Sequence, residues 1–258
     1  MKKMWSRVLG HMLLFACLLF LLPGISGKAS NDMAGQDGVY HIKATDKTVY
    51  WSYYPSVREW NKRVPILLDE YRANRKKQIS AGWKETGVRV VSSNSVVVSA
   101  LNYKNKKLSD GTVLFGLDLK KAGTVRITLT ATYQKGKQQK KYTKSFVLKS
   151  VKYENPFKEI TINGRKQTSK FNRFCGEVYE WNLKGKNYAV LRYTLKKDWT
   201  IIKVNYYDDY PSISPVKRST KTIKSGAKLK KQEVVRIQLQ NRLTHICEDA
   251  DLFICGRD

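Results

Sequence analysis

Histidine, cysteine and acidic residues are scarce in this chain of 258 residues, and each scarcity excludes something. Three His and four Cys leave few imidazole bases, thiol nucleophiles or soft metal ligands, so the composition disfavours catalysis. Six Pro and 16 Gly are too few for a collagen-like or proline-rich chain. Only 21 acidic residues accompany 49 Lys and Arg, which gives a formal net charge of +28. A hydrophobic content of 41% nevertheless predicts a folded protein and not a disordered polycation.

Long hydrophobic runs are also missing, with one exception at the N-terminus. Three basic residues among the first seven precede an apolar run over 8–22, which Pro23 and Gly24 end. This order is typical of a secretory signal peptide, which we predict over 1–27. The run is shorter than the roughly 20 residues of a membrane span, so an uncleaved anchor is the weaker alternative. Lipidation of Cys17 is disfavoured because the apolar run continues beyond it.

Cleavage would place the chain outside the cell, secreted or at the cell surface, with no membrane span left. Removing 1–27 takes away three basic residues and no acidic one, leaving 46 against 21 and a net charge of +25. Residues 28–38 are small and polar and are predicted to form a flexible leader.

Short runs of alternating apolar and polar residues fill most of the remaining chain. Val113–Leu119 and Val125–Ala131 alternate with the period of half-buried strands, and turn residues separate such runs. The stretch Val64–Lys77 alone has some helical character, and a short helix or irregular insert is as well supported there as a strand. Asn155-Pro156 interrupts the chain after a finished strand, so we predict two domains over 39–151 and 152–258. The predicted class is all-β, with two tandem antiparallel β-sandwiches.

One stretch carries a family resemblance. The sequence VSSNSVV over 91–97, followed by LDLKKAGTVRITLT over 117–130, resembles the group 2 bacterial immunoglobulin-like domain. In that family a strand pair precedes a K-A-G-T hairpin. The match covers roughly 87–151, and the longer segment 50–84 replaces the family's upstream strand as an N-terminal insert. The resemblance implies immunoglobulin-like sandwiches in a secreted or surface protein used for adhesion.

Candidates for chemistry are few. Cys175 and His245 lack the flanking sequences of a thiol or serine hydrolase, so no catalytic residue is predicted and the protein is expected not to be an enzyme. Glu248, Asp249 and Asp251 could supply calcium ligands, but a solvated acidic turn is the preferred interpretation, and neither metal nor cofactor is predicted. The spacing of Cys247 and Cys255 would suit a disulfide across a hairpin, with reduced thiols as the alternative.

Clusters of basic residues are the main functional signal. One cluster lies at a predicted hairpin tip around Gly136, and another lies in the Ser/Thr-rich segment 212–231. Such loops should attract polyanions, so we predict binding to anionic polymers of the cell envelope; charge for solubility or retention alone is the alternative. No nucleic-acid motif is present, and Lys outnumbers Arg, which disfavours nucleic acid. The predicted contact residues are Lys135, Lys137, Lys140, Lys141, Lys217, Arg218, Lys221 and Lys224.

A tyrosine cluster gives the alternative function. Tyr206, Tyr207 and Tyr210 flank Asp208 and Asp209. If exposed, the rings could stack on sugars while the carboxylates accept hydroxyl hydrogen bonds, as in a carbohydrate-binding module for surface glycans. Packing of the rings in a core is the competing interpretation.

Overall fold

A computed structural model describes residues 39–43, 45–176, 178–208 and 215–255. The predicted signal peptide and leader, and also Tyr210, lie outside the described residues. Strands make up most of the described chain, together with one α-helix, α1 (Asp69–Ser80), and two short 3-10 helices, Arg58–Asn61 and Thr168–Asn172. Within these ranges no helix has the length and apolar character needed to cross a membrane.

The first half of the described chain forms two four-stranded sheets, ordered β1-β3-β6-β5 and β2-β8-β7-β4. Inward-facing side chains of both sheets, Trp51, Leu117 and Ile127 among them, form one buried core. The strands are β1 (Tyr40–Ile42), β2 (Thr48–Tyr53), β3 (Lys62–Leu68), β4 (Lys84–Ser92), β5 (Val98–Lys107), β6 (Val113–Leu119), β7 (Gly123–Lys135) and β8 (Gln138–Lys152).

The second half forms a four-stranded sheet, β10-β9-β12-β15, and a five-stranded sheet, β11-β17-β16-β13-β14. Ile160, Leu191 and Ile237 belong to the core between them. The strands are β9 (Phe157–Ile162), β10 (Arg165–Lys166), β11 (Val178–Asn182), β12 (Tyr188–Leu195), β13 (Trp199–Tyr207), β14 (Arg218–Thr220), β15 (Ala227–Lys230), β16 (Val234–Asn241) and β17 (Cys247–Cys255). The predicted all-β sandwich class is confirmed.

Strand directions refine that class. Most neighbouring strands are antiparallel, as predicted, but β1 pairs with β3, β2 with β8, and β11 with β17 in parallel. Each of these pairs lies at the edge of its sheet. In each of these three pairs, the edge strand is therefore joined to its partner by a longer connection than a hairpin turn.

The K-A-G-T segment is not a hairpin, and that prediction was wrong. It joins β6 to β7, which belong to different sheets, so the chain crosses from one layer of the sandwich to the other. Gly123 suits this crossing, because a Cβ there would lie 2.8 Å from Cγ1 of Val97. The resemblance to the group 2 immunoglobulin-like family stays a prediction.

The stretch 64–77, for which the sequence left helix and strand open, contains both. Leu68 is still extended, and β-branched Val64 and Ile66 suit the strand β3, so the predicted span 64–77 is divided between β3 and α1. Asp69 and Glu70 then favour the helix N-terminus, where carboxylates interact well with the helix dipole. Tyr71 is the buried residue of α1, and the rest of the helix is largely polar.

Side chains from both halves meet at a junction. Tyr54, from the first half, belongs to the same buried cluster as the core of the second half, and Tyr50 and Val151 pack against that cluster. Ser52 Oγ and Tyr54 Oη donate hydrogen bonds of 2.5 and 2.9 Å to the two carboxylate oxygens of Glu248. The division into domains 39–151 and 152–258 remains a prediction, because buried contacts cross it.

Candidate functional site

The tip of the β7–β8 hairpin lies against the C-terminal end of α1. Lys135 Nζ donates a hydrogen bond of 2.8 Å to the carbonyl oxygen of Ala81, and Lys140 Nζ lies 3.7 Å from the ring centre of Trp83. These contacts bring the hairpin tip to the end of α1 and the start of β4, and we call the lysines of these three segments the basic end; Lys140 and Lys141, as consecutive strand residues, point to opposite faces of the sheet. Its members are Lys76, Lys77, Lys84, Lys135, Lys137, Lys140 and Lys141.

The positive charge of the basic end is not neutralised locally. Among the described residues, none of the four hairpin lysines forms an ion pair with a carboxylate. Glu85 follows Lys84 in β4, but its side chain is only 10% exposed, pairs with Arg75 and accepts a 2.9 Å hydrogen bond from Tyr71 Oη. The hairpin lysines therefore keep charges that no carboxylate in the described chain neutralises.

The second predicted basic cluster differs in its partners. Lys217 Nζ lies 2.5 Å from a carboxylate oxygen of Asp208, and Arg218 lies 3.1 Å from a carboxylate oxygen of Glu233. The Arg218 guanidinium also stacks 3.7 Å from the ring centre of Tyr206. Lys221 and Lys224 are exposed. Of the eight predicted contact residues, Lys217 and Arg218 therefore have acidic partners, whereas the four hairpin lysines and Lys221 and Lys224 have no carboxylate partner in the described part of the chain.

Helix residues of the basic end were missed at the level of sequence. Lys76 and Lys77 occupy the last exposed turn of α1, and Lys84 lies just beyond it. The consecutive lysines at 76 and 77 are a visible signal. Their proximity to the hairpin depends on how α1 packs, which no local pattern reveals.

The exposed tyrosine platform was a wrong prediction. Tyr206 and Tyr207 are only 6% and 5% exposed. They lie on β13, which has neighbours on both sides in its sheet, and Arg218 covers the ring of Tyr206. Burial of both rings leaves no stacking face for a sugar. Tyr210, the third member, lies outside the described residues.

The disulfide between Cys247 and Cys255 was also a wrong prediction, since no disulfide joins the two residues. They stand at opposite ends of β17, and a strand rises about 3.3 Å per residue, so about 26 Å separates them. A disulfide needs Cα atoms within roughly 7 Å. The spacing that would suit a hairpin lies instead within one continuous strand.

A cavity of about 340 Å³ lies at the junction of the two halves. Its lining residues come from segments far apart in the sequence, so no local sequence motif could predict the cavity. The first half supplies Tyr40, Tyr54, Trp60 and Arg63, and the second half supplies Phe174, Gly176, Arg236, Gln238, Cys247, Glu248, Asp249 and Asp251.

Aromatic rings form one side of this junction cavity. Trp60 is 50% exposed, and its ring centre lies 4.8 Å from that of Phe174. Phe174 in turn packs edge-on against Tyr54, with ring centres 4.9 Å apart. Phe174 therefore packs against the Trp60 ring, while half of the Trp60 surface remains exposed to solvent.

Buried charges form the other side, and here the predicted acidic turn was wrong. Glu248, Asp249 and Asp251 lie in β17 beside Arg236 of β16, because strand pairing carries them into the junction. Arg236 donates two hydrogen bonds of 2.8 Å to the Asp251 carboxylate. Its Nε lies 3.6 Å from Asp249 Oδ2.

Asp249 is the least satisfied of these acids. Its Oδ1 is buried and has no hydrogen-bond partner in the described part of the chain. Burial raises the pKa of Asp249 to about 7, since desolvation and the Asp251 charge outweigh the attraction of Arg236 and a hydrogen bond from Gln238. A group with this pKa changes charge near neutrality.

The other residues considered for catalysis or metal binding lie in surroundings that favour a structural role. Cys175 is fully buried, and burial raises the pKa of its thiol, which makes it a poor nucleophile. His245 lies in a turn with a φ of 57°. In the described ranges no three His, Cys, Asp or Glu side chains are grouped so that they could hold a metal ion.

Comparisons with known proteins give little. No family model and no curated protein matches the chain. One similar solved structure is a SusE-like surface-located polysaccharide-binding protein from the Bacteroides thetaiotaomicron heparin utilisation locus, with 11% identity over 81% of this chain and 88% of that one and a TM-score of 0.26. Another is a chimeric titin tandem, with 8% identity over 67% of this chain and 93% of that one and a TM-score of 0.19. Likenesses this low do not bear on function.

Proposed function

We propose that this protein is a non-enzymatic binding protein of the outer cell envelope that holds anionic polymers through its basic end. The observation that carries the proposal is the set of hairpin lysines without carboxylate partners beside the end of α1. The N-terminal sequence, typical of a signal peptide, supports the location. The sandwich supplies a rigid mount, because the hairpin continues two long strands of one sheet.

Crowding of like charges supports a partner of opposite sign. Lysines held close together repel one another and gain nothing for folding, so their gathering is better explained by binding than by stability. The anchoring contacts of Lys135 and Lys140 are with a carbonyl group and an aromatic ring, which leave both positive charges intact. A flexible polyanion can contact several ammonium groups at once, which adds their weak individual attractions.

Retention on an immobilised anionic wall polymer tests the proposal. Purified protein should bind at low salt and elute as the salt approaches roughly 0.5 M, because ions screen attractions between exposed charges. Retention that does not change over this range would rule out an electrostatic mechanism.

Matched triple variants locate the site. Lys84→Gln, Lys137→Gln and Lys141→Gln together remove three exposed charges of the basic end that make no structural contact in the described chain. Lys221→Gln, Lys224→Gln and Lys230→Gln remove the same charge from the second half. The first variant should elute at clearly lower salt than the second. Equal shifts in elution would mean that net charge alone drives binding, and the assignment to the basic end would be wrong.

A further inference from the structure

One face of the sheet β2-β8-β7-β4 packs on the core of the first half, and side chains of the other face reach solvent. Successive residues of a strand point to opposite faces. Leu129 and Ala131 of β7 are buried in the core, so Thr130 and Thr132 lie on the other face, where both are partly exposed. We call this the outer face.

A groove of about 390 Å³ lies on the outer face. Thr130 and Thr132 line it from β7, Gly87 and Arg89 line it from β4, and Lys141 lines it from β8. Strand pairing brings these residues together, because Thr132 is paired with Gly87 on one side and with Lys141 on the other, and Thr130 is paired with Arg89. The two cationic side chains therefore flank the two threonines from opposite sides.

Gly87 is a residue that the strand itself does not need. Glycine weakens a strand interior, since it has no side chain to pack and loses much conformational freedom on folding. The pairing shifts between Glu85 and Gly87, but the bulge that requires glycine holds it at a positive φ, and the φ of Gly87 lies outside that region. A Cβ at Gly87 would meet no atom within 4 Å. The missing side chain therefore serves to keep the groove open.

The groove offers positive charge and hydroxyl groups without a neutralising acid. Arg89 and Lys141 are exposed, and neither forms an ion pair with a carboxylate of the described chain. Thr130 Oγ1 lies 3.4 Å from Thr143 Oγ1, which is longer than an ordinary O–H···O hydrogen bond. A ligand oxygen can replace so weak a partner at little cost.

We infer that this groove binds a phosphate monoester group, with Arg89 and Lys141 on opposite sides of it and the hydroxyl groups of Thr130 and Thr132 beneath it. The site deepens the proposed function, on which it rests, by naming the group through which an anionic polymer is recognised. A phosphate monoester is nearly dianionic at neutral pH and has three free oxygens. Its charge matches the two cations, and guanidinium groups bind phosphate oxygens well.

The other common anionic groups fit the groove less well. A carboxylate has one charge and two oxygens in a single plane, so it cannot meet cations on both sides and hydroxyl groups beneath at the same time. A sulfate ester has the tetrahedral shape but only one charge, which leaves one of the two cations uncompensated.

Three cellulose resins test the site, because they share one backbone and carry phosphate, sulfate or carboxymethyl groups. On resins matched for charge density and at about pH 7.5, the full chain should elute from cellulose phosphate at clearly higher salt than from the other two. Gly87→Val fills the groove without changing the charge of the protein. This variant should lose the preference for phosphate and keep its retention on the carboxymethyl resin. Thr124→Val, an exposed outer-face position outside the groove, is the control and should keep the preference.

Two arginines give a second matched pair. Arg89→Gln and Arg126→Gln each remove one exposed positive charge of the outer face, but Arg126 does not line the groove. On cellulose phosphate, Arg89→Gln should lower the eluting salt concentration about twice as much as Arg126→Gln, because its guanidinium group binds the ligand directly. On the carboxymethyl resin the two variants should shift equally.

The outcomes separate this site from the proposed function. If Gly87→Val elutes from cellulose phosphate like the unchanged protein, or if the sulfate resin retains the protein more strongly than the phosphate resin, the phosphate site is wrong. Salt-dependent retention on all three resins would then still support the proposed function, whereas no retention on any of them would reject both. Gly87→Val should unfold at the same temperature or a higher one, since valine favours strands. If it does not fold, the arginine pair decides.

Discussion

The basic end and the junction cavity differ in whether their charged side chains are exposed or buried and in whether those side chains are paired. At the basic end, lysines of one sign are exposed and touch neutral groups such as the Ala81 carbonyl and the Trp83 ring. At the junction, negatively charged acids and positively charged arginines are largely buried, and Arg236 pairs with Asp251. Exposed charge costs folding little and remains available to a partner, whereas buried charge must be paired. The comparison therefore separates exposed charges that are free to meet a partner from buried charges that are paired inside the fold.

The largest effect should follow from breaking the buried pair. Arg236→Met leaves Asp251 and Asp249 side by side, with only 4% and 17% of their side chains exposed, and with no guanidinium between them. We expect a loss of about 3 kcal/mol in the free energy of unfolding, because removing one partner leaves a buried charge uncompensated. Urea denaturation measures this loss.

The control for this variant is an exposed pair. Lys196→Met removes the partner of Glu154, in a pair whose side chains are 38% and 60% exposed. Its cost should stay below about 0.5 kcal/mol. Similar costs for the two variants would mean that burial does not distinguish the junction charges from surface ones.

A smaller effect, with a definite pH dependence, is expected at Asp249. Its pKa is raised from 3.8 to about 7 in the folded protein, so the folded state holds a proton that the unfolded state has released. Stability from this group is therefore greatest at low pH and falls as the pH rises through this window. Asp249→Asn should raise the free energy of unfolding at about pH 8 by about 1–3 kcal/mol more than it does at about pH 5, and its gain should disappear only near about pH 3, where the carboxyl group is protonated in the unfolded chain as well.

Thermal unfolding at both pH values checks the sign. Asp208→Asn is the matched control, since Asp208 is 71% exposed and pairs with Lys217. That variant should not gain stability on going to the higher pH. A destabilised Asp249→Asn protein at about pH 8 would show that the carboxylate is needed for folding and would contradict its raised pKa.

The sequence allowed the exposed region of this comparison to be predicted much better than the buried one. Alternation over Val113–Leu119 and Val125–Ala131 indicated strands, and Gly136 among lysines indicated a basic hairpin tip, because both signals are local. Tyr206 and Tyr207 misled, since both lie on a strand with neighbours on each side and both rings are buried. Alternation alone does not say whether the second face of a strand is covered.

The junction could not be predicted, for a physical reason. Trp60 and Phe174 come from different halves of the chain, and Asp249 lies on β17 beside its neighbour β16, so each contact depends on the tertiary fold. In the sequence, 248–251 has the composition of a solvated turn, because charged residues are usually exposed. Their burial depends on partners such as Ser52 and Arg236, which the local pattern does not identify.

The smallest effect on stability should come from the basic end. It tests whether exposed lysines there contribute little to folding. If its lysines serve binding and not folding, Lys84→Gln, Lys137→Gln and Lys141→Gln together should change the free energy of unfolding by no more than about 0.5 kcal/mol. Any change should be a gain at low salt that shrinks as salt is added, because removing like charges relieves repulsion that ions also screen. Lys135→Gln should differ by losing stability, since Lys135 donates to Ala81 at the end of α1. Urea denaturation at two salt concentrations measures the stability of the triple variant and of Lys135→Gln. A loss above about 1 kcal/mol in the triple variant would show that these lysines stabilise the fold instead of serving a partner.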